Sequence, residues 1–198
     1  MKGMPDTLAQ PVNHTLDVKH SRFIAHAAPI ESASAAMAFL QDVSVADATH
    51  NCWAYRHGQD YRSSDDGEPA GTAGRPILAA IDGQGFDRVM VVVTRWFGGI
   101  KLGAGGLVRA YGGTAAECLR RAERVPIIPM ATLALSCGFS DLALLKARLH
   151  ELGASVAGET FTARGADLRL TLPVTRVDEA VSRIADLTRG EGIAARID

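Results

Sequence analysis

Two prolines, Pro126 and Pro129, divide the sequence into two parts of different character. Proline cannot continue a helix and disfavours helical backbone in the residue before it, so this segment is typical of a joint. Upstream of the joint, 13 of the 20 glycines lie between positions 58 and 113, whereas the sequence beyond it is regular. We therefore predict two domains, residues 1–125 with a core at about 15–125, and residues 126–198.

The C-terminal part shows strand and helix patterns in the order βαββαβ. Leu133, Leu135 and Cys137 alternate with small or polar residues, as in a half-buried strand. Leucines then recur at helical spacing from position 142 to 152, two strand patterns follow at 155–161 and 166–172, and a second helical stripe precedes a last strand. This order is that of the ferredoxin-like fold, with two helices on one face of an antiparallel sheet. The fold hosts many functions, so it assigns none.

The N-terminal part mixes strands and helices with two long glycine-rich segments. The patterns predict strands near 21–28, 48–57 and 89–93, helices near 32–43 and 105–123, and a short helix or turn near 74–81. The continuous apolar run at 89–93 is typical of a strand that is covered on both faces. We assign the whole chain to the α+β class.

Composition and charge exclude several classes of protein. The chain has 21 Lys+Arg against 22 Asp+Glu, a net charge of -1, which excludes a globally basic nucleic-acid binder. Its 3 cysteines are far apart and form neither a disulfide framework nor a zinc-binding pair. No apolar stretch is typical of a signal peptide or long enough to span a bilayer, so we expect a cytoplasmic protein that does not interact with membranes.

The first glycine-rich segment, residues 63–74, carries three carboxylates, those of Asp65, Asp66 and Glu68, together with the hydroxyl of Thr72. Carboxylates this close on a flexible loop can bind a hard cation or act as acid and base. The alternative is a solvated turn, because Asp-Gly and Glu-Pro are common turn dipeptides. The calcium-binding spacing of an EF-hand is absent.

The second segment, residues 94–111, runs from the buried strand through five glycines into a helix. Free backbone N–H groups and a helix N-terminus at such a place favour an anion. Neither a Walker A loop nor the dinucleotide-binding glycine pattern fits, and the alternative is a loop whose glycines serve close packing. Trp96 and Phe97 either stack on a base or plug the loop onto the core. The candidate residues of the segment are Arg95, Lys101, Gly103, Gly105, Gly106 and Arg109.

Two further observations concern charge and a possible nucleophile. Residues 88–124 contain seven Lys/Arg and two Asp/Glu, which predicts a local basic surface that includes Arg120 and Arg124. His50 and Cys52 lie two apart on a predicted strand and share a face, but a nucleophilic pair needs hydrogen-bond contact that such neighbours seldom make. We expect a structural or hydrogen-bonding role for both.

Three blocks of sequence carry a resemblance to a known family. They read DATHNCWAYR at Asp47–Arg56, SDDGEPAGTAGRPIL at Ser64–Leu78 and VVVTRWFGGIKLGAGGLVRAY at Val91–Tyr111. On these blocks the chain resembles the YigZ/IMPACT family. It departs from the family pattern at Ala70, where serine is usual, and at Trp96, where tyrosine is usual. The missing hydroxyl makes position 70 a poor candidate for a nucleophile.

The resemblance implies both a fold and a cellular context. Bacterial members add a ferredoxin-like C-terminal domain to an N-terminal βαβ domain that is similar to the second domain of a small-subunit ribosomal protein and to a domain of elongation factor G. The resemblance to this family also implies a role in the regulation of translation and in a stress response. The eukaryotic members restrain the response to amino-acid starvation by competing for the ribosome-associated activator of a kinase. They carry a different accessory domain, so that partner is not transferred to this chain.

Three functional hypotheses remain open at this point. The first, which we favour, is a non-enzymatic, translation-linked regulator that contacts RNA, the ribosome or a ribosome-associated protein. The second is a nucleotide- or phosphate-binding enzyme that uses the acidic loop with Mg²⁺ and the glycine-rich basic loop. The third is a structural lock between the two loops. We assign no catalytic residue, metal or cofactor and no oligomeric state, and we expect binding by His50, Asp65, Asp66, Glu68, Thr72, Arg95, Lys101, Gly103, Gly105, Gly106 and Arg109.

Overall fold

The structure, a computed structural model, describes residues 5–197. The chain divides into two compact units, Met1–Ile127 and Ile128–Asp198. The boundary predicted from the sequence lies after residue 125, two residues before this division. Both units combine helices and strands, which confirms the predicted α+β class and the two-domain organisation.

The N-terminal unit is built on a five-stranded antiparallel sheet. Its elements are β1 (Asp6–Leu8), β2 (Val12–Val18), β3 (Ser21–Pro29), α1 (Ala33–Val43), β4 (His50–His57), β5 (Asp60–Ser64), α2 (Gly74–Gly83), β6 (Val89–Trp96), α3 (Ala104–Arg120) and β7 (Arg124–Pro126). The strand order is β2-β3-β6-β4-β5, and β1 pairs separately with β7. Because β3 and β4 are both antiparallel to the intervening β6, they are parallel to each other. The β3–α1–β4 connection is therefore the expected βαβ unit, split by one strand.

Side-chain alternation along β6 separates the two faces of this sheet. Val89, Val91 and Val93 pack with α2 and α3 in the main core. Met90 and Val92 point to the opposite face and pack with α1. The strand is thus covered on both faces, as the apolar run predicts. β6 extends three residues beyond that run, to Trp96. This extension places Arg95 on the face of the sheet that α3 covers.

Four strands of the N-terminal unit are absent from the sequence-based prediction. They are β1, β2, β5 and β7. β5 is largely exposed and has no apolar alternation, and it exists by pairing with β4. The short strands β1 and β7 pair with each other across more than one hundred residues of sequence. Local patterns cannot show such pairings, since the partner rather than the strand's own sequence stabilises the extended backbone.

The C-terminal unit has the predicted βαββαβ order. Its elements are β8 (Met130–Gly138), α4 (Phe139–His150), β9 (Ser155–Phe161), β10 (Gly165–Pro173), α5 (Val177–Leu187) and β11 (Ile193–Arg196). The sheet order is β11-β8-β10-β9, and every pair is antiparallel. Leucines of β8 and β10 pack with the apolar stripes of both helices in one core, so both helices lie on the same face. No helix within residues 5–197 is long and apolar enough to cross a membrane.

Candidate functional site

Four segments of the N-terminal unit converge at one end of its sheet. They are the start of β4, the end of β6, the 65–74 loop and the 97–103 loop that leads into α3. His50 is paired with Arg95 in the β4–β6 register. Since paired residues in a sheet point to the same face, both side chains lie on the face that α3 covers. The backbone N–H of Phe97 donates to the Thr49 hydroxyl at 2.9 Å, which holds the 97–103 loop against the start of β4.

A buried ion pair joins the two glycine-rich segments. The Glu68 Oε1 atom accepts a hydrogen bond from Arg95 Nη1 at 2.6 Å and another from the Tyr111 hydroxyl at 2.7 Å. The side chains of Glu68 and Arg95 are 4% and 6% exposed. Burial raises the pKa of Tyr111, so its hydroxyl remains a donor. Two buried charges are stable only when they are paired and hydrogen-bonded, so this arrangement fixes the 65–74 loop against β6 and α3. It realises the predicted lock through one of the three carboxylates.

The rest of the Arg95 guanidinium is held by less favourable contacts. Its Nη2 atom donates to the Ser21 hydroxyl at 3.3 Å, and the group lies 5.5 Å from the ring centroids of Phe23 and Phe97. Its Nε atom is buried and has no hydrogen-bond partner among the described residues. Arg95 thus helps to hold the loop and is too deeply buried for an exposed basic surface.

His50 lies at the mouth of this network with a defined orientation. Its Nδ1 atom is 2.6 Å from the backbone carbonyl of Asp66. A carbonyl only accepts, so Nδ1 carries the hydrogen, and in the neutral ring Nε2 is then the acceptor. Nε2 faces the second carboxylate oxygen of Glu68, Oε2, at 3.8 Å. This separation is too long for a hydrogen bond, and in the neutral ring two acceptor atoms face each other.

Asp65 is committed to the backbone of its own loop. Its two oxygens accept hydrogen bonds at 2.8 to 3.0 Å from the N–H groups of Gly71, Ala73 and Gly74. These residues lead into α2, which has no other side-chain cap. Burial opposes ionisation of Asp65, but the three backbone hydrogen bonds outweigh it and lower the pKa of the carboxyl. Asp65 therefore stabilises the loop and the start of α2.

The remaining predicted residues of the acidic loop also have internal contacts. Asp66 Oδ2 accepts from the Asn51 backbone N–H at 2.6 Å, and the Thr72 hydroxyl donates to the carbonyl of Pro69 at 2.6 Å. The three carboxylates thus have three separate sets of partners. Within residues 5–197, no group of three or more His, Cys, Asp or Glu side chains could hold a metal ion. The arrangement gives no support to a magnesium ion shared by the acidic loop.

The glycine-rich 97–103 loop is shaped by two glycines with definite structural roles. A Cβ atom on Gly98 would lie 2.0 Å from the carbonyl carbon of His20, so only glycine permits this approach to the β2–β3 turn. Gly103 has a φ of 73°, a left-handed conformation that glycine adopts without strain, and is the N-cap of α3. Lys101, between them, is exposed. The interpretation of the loop as closely packed is correct for Gly98, whereas at Gly103 a Cβ atom would meet nothing within 4 Å and glycine serves the backbone conformation.

Between the two loops lies a cleft of about 370 Å³. Five of the predicted binding residues line it: His50, Glu68, Arg95, Lys101 and Gly103. Gly103 and Ala104 form its wall at the start of α3, and Phe97, Leu102 and Leu107 supply apolar surface. Asp65, Asp66, Thr72, Gly105, Gly106 and Arg109 are not among its lining residues. The cleft thus brings together a subset of the predicted site and leaves the rest in supporting positions.

The predicted basic surface is not formed as expected. Arg95 is buried in its ion pair, Arg120 pairs with Glu117, and Arg124 pairs with Asp6 at the opposite end of the sheet from the cleft. Arg109 is exposed in the second turn of α3, and Gly106 lies with it in a neighbouring groove. Eleven residues of helix place Arg109 and Arg120 about 16 Å apart. The expectation that Arg95, Lys101, Arg109, Arg120 and Arg124 share one surface is therefore wrong.

The structure also separates the two aromatic residues beside Arg95. Phe97 lines the cleft, whereas Trp96 points to the other face of the sheet and lines a groove with Arg22.

Cys52 is buried and donates a hydrogen bond to the carbonyl of Asp65 at 3.0 Å, and burial raises the pKa of the Cys52 thiol to about 12. The thiol is therefore inactive as a nucleophile at neutral pH, which agrees with the structural role expected for it.

Two residues of the site were missed by sequence reasoning. They are Tyr111 and Ser21, and neither is among the predicted binding residues. They lie 43 and 74 positions along the chain from the side chains they contact. No local pattern signals such a partnership. A tyrosine within an apolar helical stripe is the one available indication, because its buried hydroxyl requires a partner.

Comparisons with known proteins match both parts of the chain. The model of the Impact N-terminal domain matches residues 19–119, which include every residue of the cleft. A second family model, a domain of unknown function called DUF1949, matches residues 135–191 in the C-terminal unit. The two matches fall on either side of the division between the units.

Full-length relatives are similar over most of this chain. An IMPACT family member from Thermus thermophilus is 47% identical over 178 residues, covering 87% of this chain and 96% of that protein. The IMPACT family member YigZ of Escherichia coli is 38% identical over 189 residues, covering 92% of each. A crystal structure titled only as that of a hypothetical protein superposes with a TM-score of 0.80 at 36% identity, covering 100% of this chain and 99% of that chain.

Proposed function

Because the chain belongs to the IMPACT family, we propose that it is a translation-linked regulator. The regulator acts by binding the ribosome, its RNA or a ribosome-associated protein. Membership associates the chain with a family of translation-related regulators, and binding rather than catalysis is the activity we assign. The contact that we propose lies on the N-terminal unit, the part that carries the family's three sequence blocks.

The observation that carries the proposal is a group of exposed apolar and cationic side chains on the 97–103 loop and the first two turns of α3. Phe97, Ile100 and Val108 are 47%, 44% and 41% exposed. Lys101 and Arg109, from the same loop and the first two turns of α3, are exposed and have no ion pair among the described residues. We call these five residues the loop face. Aromatic and arginine side chains are enriched in binding interfaces, and unpaired cations attract phosphate.

Ribosome co-sedimentation tests this proposal. The wild-type protein should pellet with ribosomes at low salt and less so at moderate salt, because phosphate contacts weaken as salt rises. The double variant Lys101→Ala/Arg109→Ala should remain largely in the supernatant. Arg95 is left unchanged, since its removal would break the buried ion pair and confuse loss of contact with loss of fold.

A matched control removes the same charge from the other end of the same helix. Arg120 and Arg121 are both paired with Glu117, so Arg120→Ala/Arg121→Ala changes the net charge equally and leaves the loop face intact. This variant should co-sediment like the wild type. If the wild type does not pellet at either salt concentration, direct ribosome binding is excluded. Equal losses in both double variants would exclude the loop face as the contact.

The cleft favours a second candidate function, that of a nucleotide- or phosphate-binding enzyme. An uncapped helix start and Lys101 lie in the same cleft as the His50 and Glu68 side chains. Asp65, Asp66 and Glu68 each bind different partners, so the acidic loop does not support a magnesium-assisted mechanism. Incubation with nucleoside triphosphates and Mg²⁺, followed by phosphate release, tests this candidate. Turnover that His50→Gln abolishes would favour the enzyme, and its absence would leave the regulator.

A further inference from the structure

The cleft contains two unsatisfied polar ends and an apolar middle, and these properties are independent of the proposed role in translation. Its volume of about 370 Å³ is at the lower end of the range for small-molecule sites. It therefore suits a ligand the size of a mononucleotide or smaller. Its lining belongs entirely to the N-terminal unit, between Thr49 and Leu107.

One end of the cleft favours an oxyanion. Gly103 caps α3 without a side chain, and the first-turn amides at positions 104 to 106 have no acceptor among the described residues. The helix has 17 residues, so its N-terminus carries the full partial positive charge of a helix dipole. The exposed Lys101 ammonium lines the same wall and has no ion pair within the described part of the chain.

The other end favours a hydrogen-bond donor, and this observation is independent of the helix. The Glu68 side chain is only 4% exposed, yet its Oε2 atom accepts no hydrogen bond within residues 5–197. His50 Nε2, the acceptor of the neutral ring, lies 3.8 Å away. A nitrogen atom between the two acceptors can approach both at about 2.9 Å, which is ordinary hydrogen-bond geometry. An amino group has enough hydrogens to donate to both.

The Glu68 Oε2 atom faces the cleft, and a donor on an occupant would supply a hydrogen bond that the described residues do not provide. Arg95 compensates the charge of Glu68 through the other oxygen, so Lys101 and the helix N-terminus leave the cleft positive overall. Phe97, Leu102 and Leu107 provide an apolar wall along the cleft.

We propose that this cleft binds a small molecule that carries an oxyanion at one end and an amino group at the other. The oxyanion lies at the first turn of α3 beside Lys101, and the amino group lies between Glu68 and His50. An apolar or aromatic body lies against Phe97. An adenine nucleotide with one phosphate has this chemistry, because its phosphate and its exocyclic amino group lie at opposite ends of the molecule.

Two probes test this assignment. Adenosine monophosphate is paired with purine riboside monophosphate, which lacks only the amino group. Binding is measured by calorimetry and by amide chemical shifts of Gly103, Gly105 and Gly106 in the full-length protein. We expect adenosine monophosphate to bind and to shift these amides. Purine riboside monophosphate should bind at least about tenfold more weakly, because it cannot donate a hydrogen bond to Glu68 Oε2 or His50 Nε2.

A charge variant tests the anion end without weakening the fold. Ala104 is exposed at the first position of α3 and lines the cleft. A carboxylate there is favourable for the helix but repels an oxyanion, so Ala104→Glu should retain stability and lose at least about tenfold in affinity. The control Ala79→Glu adds the same charge at an exposed position of α2 and should bind like the wild type.

The outcomes decide the proposal in either direction. Binding of adenosine monophosphate that depends on its amino group supports the proposal. The proposal is overturned if adenosine monophosphate does not bind at millimolar concentration or if purine riboside monophosphate binds equally well. It is also overturned if Ala104→Glu and Ala79→Glu have the same affinity.

Discussion

Neutralising one member of the buried pair between Glu68 and Arg95 should destabilise the N-terminal unit strongly. Glu68→Gln retains the size of the side chain and an acceptor for the Tyr111 hydroxyl but removes the charge opposite Arg95. The guanidinium then keeps a 3.3 Å contact with Ser21 and an Nε atom without a partner. Leaving one charge of a buried pair uncompensated costs about 3–5 kcal/mol. Domains of this kind have a free energy of unfolding of about 5–15 kcal/mol, so the loss is a large part of the total.

Urea unfolding followed by tryptophan fluorescence measures this loss selectively. The chain has 2 tryptophans, Trp53 and Trp96, and both belong to the N-terminal unit. With an urea dependence of about 1–3 kcal/mol per molar, the midpoint should fall by at least about 1 M. Arg95→Met, which leaves the Glu68 carboxylate buried without its cation, should cost a similar amount.

The double variant Glu68→Gln/Arg95→Met makes the reasoning refutable. It contains no buried charge, so it should be more stable than the sum of the two single losses predicts, by about 0.5–3 kcal/mol of coupling. If the two losses simply add, the ion pair contributes nothing beyond the separate side chains. A midpoint of Glu68→Gln within error of the wild type would also refute the assignment of the pair as the lock between the loops.

Three further predictions use the same fluorescence assay or a thiol reagent. Burial opposes ionisation of Asp65, but hydrogen bonds from three backbone amides outweigh it and lower the pKa of the carboxyl. Its contribution to the free energy of unfolding is therefore complete above the ordinary pKa of 3.8 and is lost as the pH falls below that value. Asp65→Asn should lower the free energy of unfolding at pH 7 and make it depend less on pH in the acid range. Gly98→Ala should destabilise the N-terminal unit by about 1–3 kcal/mol, because the new Cβ atom would clash with the backbone of His20. Gly113 is exposed within α3 and has nothing within 4 Å of the position of a Cβ atom, so Gly113→Ala should stabilise the unit by about 0.5–1 kcal/mol. The 3 buried cysteines should react with a thiol reagent only upon unfolding, since burial raises the pKa of each thiol.

Each of these predictions has an outcome that contradicts it. An acid dependence of Asp65→Asn as steep as that of the wild type would remove Asp65 as its source. Equal effects of the two glycine substitutions would show that contact with the β2–β3 turn does not decide the stability of the 97–103 loop. Rapid reaction of any thiol in the native protein would contradict the burial of that cysteine.

The order of the elements could be predicted wherever apolar residues follow a clear period. The βαββαβ order of the C-terminal unit was predicted from its leucine spacing, and the buried strand β6 from the run of valines at 91–93. The edge strand β5 could not be predicted, because its exposed residues show no period and its backbone is stabilised by pairing with β4. Similarly, β1 and β7 are stabilised by each other across the length of the N-terminal unit.

The candidate site was predicted as a set of residues, and the structure distributes that set among different roles. Residue types and spacing identified the acidic loop and the glycine-rich loop as two polar segments at the ends of apolar elements. They could not show that Asp65 binds backbone amides, that Asp66 positions the start of β4, or that Glu68 alone reaches Arg95. Three neighbouring carboxylates are alike in sequence, and the path of the backbone decides which partner each one meets.

The sequence by itself determined the α+β class, the two-part organisation, the family and the chemical groups available at the site, because these depend on residue type and on short-range periodicity. Only the tertiary structure decided that Arg95 is buried while Lys101 stays exposed, that Tyr111 donates to Glu68, and that one carboxylate oxygen faces the cleft without a donor. Hydrogen bonds and ion pairs act over a few ångströms in space. They join residues that are many positions apart in the chain, and only the folded backbone sets those distances.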